Sequence, residues 1–239
     1  MMEWQNAIVT DIIQESTSVK RFFITVDKTN HFTFIPGQFI TLDLPIHEKK
    51  NKRFRSYSIA SSAEGGNVIE LIISLHPLGL GTQYLFNEIS VGDNLVFRGP
   101  QGVFILPEII VQPIIFICTG TGIAPFRSML KKLYKEHETL YTQLIYGCRK
   151  REDILYFNEM IKLQQENRGF HYHVTLSQPD IKVVGFNTGY VHPVYEKLLI
   201  EMNNPLIYLC GWRKMIDEAI ERLLKAGIDK KNIRYELYG

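Results

Sequence analysis

The amino-acid sequence predicts two domains of different class, an antiparallel β-barrel or sandwich over residues 1–107 followed by a doubly wound α/β domain with a parallel sheet over residues 108–239. Three observations carry this expectation. Up to Pro107 the chain is made of short runs that alternate apolar and polar residues, are rich in β-branched and aromatic side chains, and contain no amphipathic helix longer than about two turns. After Pro107, short apolar runs are each followed by a segment of helical period, the pattern of strand–helix units. Finally, "IIFICTGTGIAPF" passes from an apolar run through two close glycines into a helix, and free amides at a helix start attract phosphate.

In chain order, the expected strands of the first half are "NAIVTDIIQ", "VKRFFITVD", "HFTFIPGQFITLDLP", "RSYSIASS", "NVIELIISLHP" and "NLVFRGPQGVFIL", with a short helix around Gly81–Asn87. In the second half, "PIIFICTG" precedes the helix "PFRSMLKKLYKEH", in which Phe126, Met129, Leu130 and Leu133 fall at i, i+3, i+4 and i+7 on one face. The alternation continues through "TQLIYGCR" and "DILYFNEMIKLQQEN", "HYHVTLS" and "VHPVYEKLLIEM", then "PLIYLCG" and "KMIDEAIERLLKAG", where Gly227 marks a helix stop.

With 45% hydrophobic and 22% charged residues, the 239-residue chain has the material for a folded core. Its formal charge of +2 argues against nucleic-acid binding. Cys118, Cys148 and Cys210 are odd in number and far apart, so they form neither a disulfide framework nor a Cys-x-x-Cys metal or iron–sulfur site, and a reducing cytoplasm fits them. The start lacks the pattern of a secretory signal, and no apolar run approaches the roughly 18 residues of a membrane helix.

In the glycine loop, Gly120 and Gly122 allow positive φ and close backbone approach, while Pro125 stands where a dinucleotide fingerprint has a small residue. Proline suits the first helical turn, whose amides have no intrahelical partner. Alone, this loop reads equally as a plain strand-to-helix turn. In "RFRSYSIASS", Arg55 and Tyr57 share a strand face and are followed by Ser58, which sets a phosphate partner beside a stacking surface. Core packing is the alternative for Tyr57. His171 and His173 also share a strand face but lack a nearby third ligand, and no metal is assigned to them.

The series "PGQF", "RSYS", "GLGT", "GPQGVF", "TGTGIAP", "YGCR", "CGWRKM" and "YELY" resembles, in order and across nearly the whole chain, the ferredoxin–NADP reductase-like flavin oxidoreductases. The resemblance implies a β-barrel that binds FAD, then a domain that binds NADP, with NAD as the alternative. It makes Arg55, Ser56, Tyr57 and Ser58 the flavin strand: Arg55 pairs with a phosphate, Tyr57 stacks on the isoalloxazine, and Ser58 hydrogen-bonds near the nitrogen that receives hydride. Leu80, Gly81 and Thr82 match a second phosphate contact, and Ile72, Ile73 and Ser74 a backbone edge along the flavin, although lysine or arginine is frequent where Ser74 stands.

On the nucleotide side, the resemblance places Thr119, Gly120, Thr121, Gly122, Ile123, Ala124 and Pro125 under the pyrophosphate. Gly147, Cys148 and Arg149 then lie by the adenosine ribose, and Ser177 matches a phosphate-binding serine. Arg149, Lys150 and Arg151 favour a 2′-phosphate or form a solvated basic loop, and Gln178 stands where NADP-preferring members often have arginine. Cys210, Gly211 and Met215 match the motif beside the nicotinamide, with Trp212 replacing a frequent proline. Glu236 and Tyr238 match the C-terminal acidic and aromatic pair, Tyr238 covering the second flavin face. Ser58, Cys210, Glu236 and Tyr238 are the expected catalytic residues.

The implied activity is hydride transfer from NAD(P)H to FAD, with NADPH favoured, then single-electron delivery to a separate ferredoxin or flavodoxin. "HEKKNKRFR" puts five basic residues between positions 49 and 55, a docking face for an acidic acceptor or a solvated loop. The alternatives are a reductase component of an oxygenase, a free-flavin reductase, or a non-catalytic flavin electron-transfer subunit of a larger complex.

Overall fold

In a computed structural model, which describes residues 3–26, 31–136, 140–179 and 184–238, the alternating runs of the first half form six antiparallel strands. They are β1 (Gln5–Ser16), β2 (Val19–Val26), β3 (Phe39–Asp43), β4 (Phe54–Ser58), β5 (Val68–Ser74) and β6 (Asn94–Gln101), ordered β4-β3-β6-β1-β2-β5. The two outer strands meet just beyond β4: Ile59 pairs antiparallel with Leu71, and the Ala60 amide donates to the Glu70 carbonyl at 2.9 Å. This seam closes the sheet into a barrel around Phe22, Ile24, Ile40, Leu42, Leu71 and Phe97.

Two expected strands are shorter than their sequence runs. Of residues 31–45 only Phe39–Asp43 pairs, because a turn at Pro36–Gly37, closed by the Gln38 amide on the Ile35 carbonyl at 3.0 Å, interrupts the run. Phe32 is buried nonetheless, its ring edge-on to Phe97. The final run stops at Gln101, since Gly102 takes a φ of 108° and leaves the ladder. Helix α1 (Leu80–Asn87) forms as expected between β5 and β6.

After Pro107 the chain folds as β7 (Ile114–Thr119), α2 (Ile123–Glu136), β8 (Thr142–Cys148), α3 (Phe157–Glu166), β9 (Phe170–Leu176), the two-residue β10 (Asn187–Thr188), α4 (His192–Leu199), β11 (Leu206–Trp212), α5 (Arg213–Lys225) and β12 (Ile233–Tyr238). All pairings in the order β10-β9-β8-β7-β11-β12 are parallel. The chain runs outward from β7 through β8 and β9, then returns to β11 on the other side, so the switch point lies between β7 and β11. Ligands of such sheets bind there, at the carboxyl ends of the strands.

Helix α5 shows why these segments are helical. Ile216, Ala219 and Leu223 recur at helical spacing and are buried, each large side chain contributing about 1.5–3 kcal/mol. The helix stops where expected: the Gly227 amide donates to the Leu224 carbonyl and the Ile228 amide to that of Leu223, a Schellman ending. Helix α3 starts later than its apolar run, at Phe157, because residues 151–153 form a 3-10 turn and Tyr156 takes a left-handed φ of 54°. By internal contacts the chain divides into two compact units, Met1–Leu106 with Ala124–Lys132, and Pro107–Ile123 with Leu133–Gly239.

Candidate functional site

In the first unit, β4 ends beside the barrel seam and carries Arg55, Ser56, Tyr57 and Ser58. Arg55 is half-buried and donates from Nη1 to the carbonyls of Phe54 at 2.7 Å and Lys52 at 3.0 Å. Its aliphatic stem lies flush against Gly81 of α1, where a Cβ would stand 2.8 Å from Arg55 Cγ. The fold thus joins two motifs 26 positions apart (81 − 55), the arginine and the start of α1. No side chain caps α1 at Gly79, while Thr82 Oγ1 accepts from the His76 amide at 3.0 Å and lies 3.1 Å from the Gly79 carbonyl. Guanidinium, uncapped helix amides and bare backbone together suit a pyrophosphate.

Tyr57 packs against the barrel core, so the core-packing alternative and the stacking role bear on one side chain. Burial raises its hydroxyl well above the ordinary value, against the opposing charge of Arg55, so the ring stays neutral. The Ser56 and Thr41 hydroxyls share a hydrogen bond of 3.0 Å on the other strand face. Ser58 is buried at the end of β4; Ile72 and Ile73 are buried in β5, and Ser74 is exposed. Through the Ile59–Leu71 pairing, Ser58 and Ile72 approach the same seam.

In the second unit, the site forms at the switch point. Strand β7 ends at Thr119, a 3-10 turn spans Gly120–Gly122, and α2 follows from Ile123, so Pro125 lies inside the first turn and not at its first position. The two glycines divide the work. Gly120 takes the positive φ, 54°, whereas Gly122 has ordinary φ but lies so close to β11 that a Cβ would overlap the Cys210 carbonyl oxygen. Gly211, at φ 138°, equally leaves no room for a Cβ beside Thr119 Oγ1, which accepts from the Trp212 amide at 3.4 Å. The result is a backbone-lined seat at a helix start, which fits a nucleotide pyrophosphate.

Cys210 and Glu236 are register partners on β11 and β12, as are Trp212 and Tyr238. Burial raises the Cys210 thiol well above its ordinary value, the neighbouring Glu236 and Cys118 raise it further, and a hydrogen bond with Tyr238 opposes them. Burial therefore favours the neutral Cys210 thiol. Met215, three residues after Trp212 on α5, packs against the core of the second unit.

At the ends of β8 and β9, Gly147 lies against Val191 and Thr119. The Ser177 amide donates to the Cys148 carbonyl at 3.0 Å and the Gln178 amide to that of Arg149 at 2.9 Å, bringing the expected phosphate-binding serine beside the expected ribose residues. Arg149 is exposed. Cys148 is pushed up to about 12, by burial first and then by Asp153 and Glu152. His173 Nε2 and Gln143 Oε1 lie 2.6 Å apart, and the His171 ring faces Tyr141 at 5.2 Å.

One feature of the barrel escaped the sequence reading: Glu70 on β5 and Arg127 on α2 form an ion pair at 2.6 Å, both almost fully buried. The available signal was a charge inside an apolar run at each position.

Comparisons with known proteins agree with this geometry. The oxidoreductase FAD-binding domain family matches residues 6–105, and the oxidoreductase NAD-binding domain family residues 116–221. Ferredoxin–NADP reductase B of Sorangium cellulosum is 30% identical over 215 residues, covering 87% of this chain and 86% of the relative. The reductase component of Rhodococcus jostii propane 2-monooxygenase is also 30% identical over 87% of this chain, which spans only 56% of that relative. The toluate 1,2-dioxygenase electron transfer component of Pseudomonas putida is 30% identical over 97% of this chain, which spans 67% of it. Among solved structures, the Amycolatopsis cytochrome P450 reductase GcoB superposes with a TM-score of 0.89 at 22% identity, over 99% of this chain and 71% of that one. The FAD/NAD binding domain of Vibrio cholerae nitric oxide dioxygenase gives 0.86 at 23% identity, with 98% of each chain covered. With a flavin-domain barrel followed by a nicotinamide-nucleotide domain, each matched in order, the chain belongs to the ferredoxin–NADP reductase-like flavin oxidoreductases.

Proposed function

We propose that the protein carries reducing equivalents from NAD(P)H through FAD to a separate electron-transfer protein, ferredoxin or flavodoxin, with NADPH as the preferred donor. FAD, when bound, supplies a ring that accepts hydride and releases electrons singly. The chain's own contribution is binding and alignment. Arg55 and the start of α1 neutralise the FAD pyrophosphate, Tyr57 offers a neutral ring for stacking, and Ser58 places a hydroxyl at the reacting edge. Residues Thr119–Pro125 seat the nucleotide pyrophosphate, while Gly147, Cys148, Arg149 and Ser177 receive the adenosine side. Cys210 and Gly211 would border the nicotinamide, with Glu236 and Tyr238 on the neighbouring strand completing that border, where Tyr238 would offer an aromatic ring for stacking.

The observation that carries this reading is the bare-backbone seat where Gly122 meets Cys210 at the switch point. Arg149, whose carbonyl accepts from the Gln178 amide next to Ser177, supports NADPH. The exposed Lys49, Lys50 and Lys52, in and beside a 3-10 turn, support an acidic acceptor. Two of the three relatives above are reductase or electron-transfer components of oxygenases, which favours an oxygenase component as the second reading. A cytoplasmic setting is inferred from three free cysteines; among the described residues, no helix is long and apolar enough to cross a membrane.

The test is NADPH and NADH oxidation by the FAD-loaded protein with ferredoxin, flavodoxin and free flavin as acceptors. Fastest turnover with ferredoxin or flavodoxin is expected, falling steeply with salt, and that fall should flatten when Lys49, Lys50 and Lys52 are replaced by glutamine. A rate indifferent to salt contradicts docking by this segment. Bound flavin without NAD(P)H oxidation contradicts the catalytic reading altogether.

A further inference from the structure

Two charges lie where the sequence pattern calls for apolar side chains. Glu70 interrupts the apolar run of β5, and Arg127 follows Phe126 on α2; they are only 4% and 5% exposed. Burying a charge is costly unless it is paired and hydrogen-bonded. Here a single guanidinium nitrogen, Arg127 Nη1, donates at 2.6 Å both to Glu70 Oε2 and to the Ala60 carbonyl. The other Glu70 oxygen accepts from Arg21 Nη1 at 3.2 Å, and Arg21 Nε reaches Glu15 at 2.6 Å.

Arg127 therefore grips both lips of the barrel seam. Ala60 follows the end of β4, Glu70 belongs to β5, and their backbones are joined by the Ala60 amide on the Glu70 carbonyl. Beyond Ser58 the two sides of the seam meet through this bond, the Ile59–Leu71 bridge and the Glu70 amide, which donates to Ser61 Oγ at 3.2 Å. The clamped carbonyl stands two residues after Ser58.

We infer that Arg127 is a positioning residue for Ser58: by holding Ala60 to Glu70 across the seam it fixes the hydroxyl proposed to face the reacting edge of the flavin. The inference rests on the flavin reading above. A reacting geometry tolerates little drift, since a misplacement of about 1 Å can cost about a hundredfold in rate. A salt bridge serving stability alone would not be expected to couple to one hydroxyl. The clamp also reaches Ser58 through a short covalent path, with no intervening side chain.

The test is a double-mutant cycle on the FAD-loaded protein, reading the rate of flavin reduction at saturating NADPH. It is joined to amide hydrogen exchange at Ala60 in the flavin-free protein, which should quicken in Arg127→Met and whose constancy would overturn the inference. Arg127→Met removes the clamp, yet Arg21 remains on Glu70, so no buried carboxylate is stranded. It should slow reduction about tenfold with the nucleotide KM unchanged. Arg127→Lys, which keeps a charge but moves the donor, should slow it less. In a Ser58→Ala background both effects should vanish, because Arg127 acts through that hydroxyl. Wild-type rates in both variants, or slowing that persists in the Ser58→Ala background, would overturn the inference. If the methionine variant does not accumulate folded, the lysine variant decides by the same criterion. Wild-type protein that binds no flavin overturns the functional reading before any substitution is made.

Discussion

The two units build their proposed sites from different materials. The barrel site is made of side chains, a guanidinium, a phenol ring and a hydroxyl on one short strand, with the start of α1 laid against the arginine. The switch-point site is made of backbone: what matters at Gly122 and Gly211 is the absence of a Cβ. A side-chain site fails when atoms are removed, and a backbone site fails when atoms are added.

The largest expected effect follows from that contrast. Gly122→Ala adds one carbon against the Cys210 carbonyl oxygen, which the surrounding strands cannot yield without shifting. It should destabilise the second unit by about 2–3 kcal/mol and abolish flavin reduction by NADPH while the barrel still binds FAD. Thermal unfolding with flavin content measured in parallel checks this; retained reduction would show that the seat is not where the nucleotide binds. Next comes Arg55→Ala, which leaves the backbone site intact but removes charge-assisted contacts worth about 1.5–3 kcal/mol. FAD affinity should fall roughly 10- to 100-fold, with little change in nucleotide affinity, as equilibrium dialysis would reveal.

The units should also part company in alkali. In the second unit Cys118, Cys210 and Tyr146 are held well above their ordinary values, chiefly by burial, while in the first only Tyr57 is similarly placed among the described groups. A group whose folded-state value is raised contributes stability that is complete below its unfolded value and is lost as pH rises toward the folded one. Each such thiol should therefore cost about 1.4 kcal/mol per pH unit above roughly pH 8.5, and the tyrosine the same above roughly pH 10. Unfolding followed from neutral pH to pH 11 should show the second unit yielding first; simultaneous loss of both would contradict the comparison.

The smallest effect concerns nucleotide choice. Arg149 is exposed, so its attraction to a 2′-phosphate is screened and worth less than about 1 kcal/mol. Arg149→Gln should narrow the NADPH-to-NADH preference by no more than about fivefold. An unchanged ratio of kcat/KM values would return this loop to a purely solvated role.

The same contrast explains what was legible in the sequence. Arg55, Tyr57 and Ser58 carry their chemistry in their identities, and the alternation of apolar runs was enough to predict both sheets. The backbone site was half legible: the paired glycines announced a loop, but only the strand order puts β11 beside β7, and only that neighbourhood separates the positive φ of Gly120 from the close approach of Gly122. The truncated strand at Phe39–Asp43 was not readable from periodicity, because Pro36 and Gly37 break pairing inside an otherwise apolar run whose aromatics remain buried. The Arg127–Glu70 clamp was hidden for a related reason. A charge within an apolar run signals that a partner exists, but the partner lies 57 positions away and is supplied by the fold.

The central claim, that this chain passes hydride from a nicotinamide nucleotide to a bound flavin, is tested most directly by anaerobic titration of the purified, FAD-loaded protein with NADPH and, separately, NADH, following the flavin absorbance. Bleaching at one equivalent of nucleotide is expected, more readily with NADPH. Protein that takes up no flavin, or flavin left unbleached by either nucleotide, would contradict it.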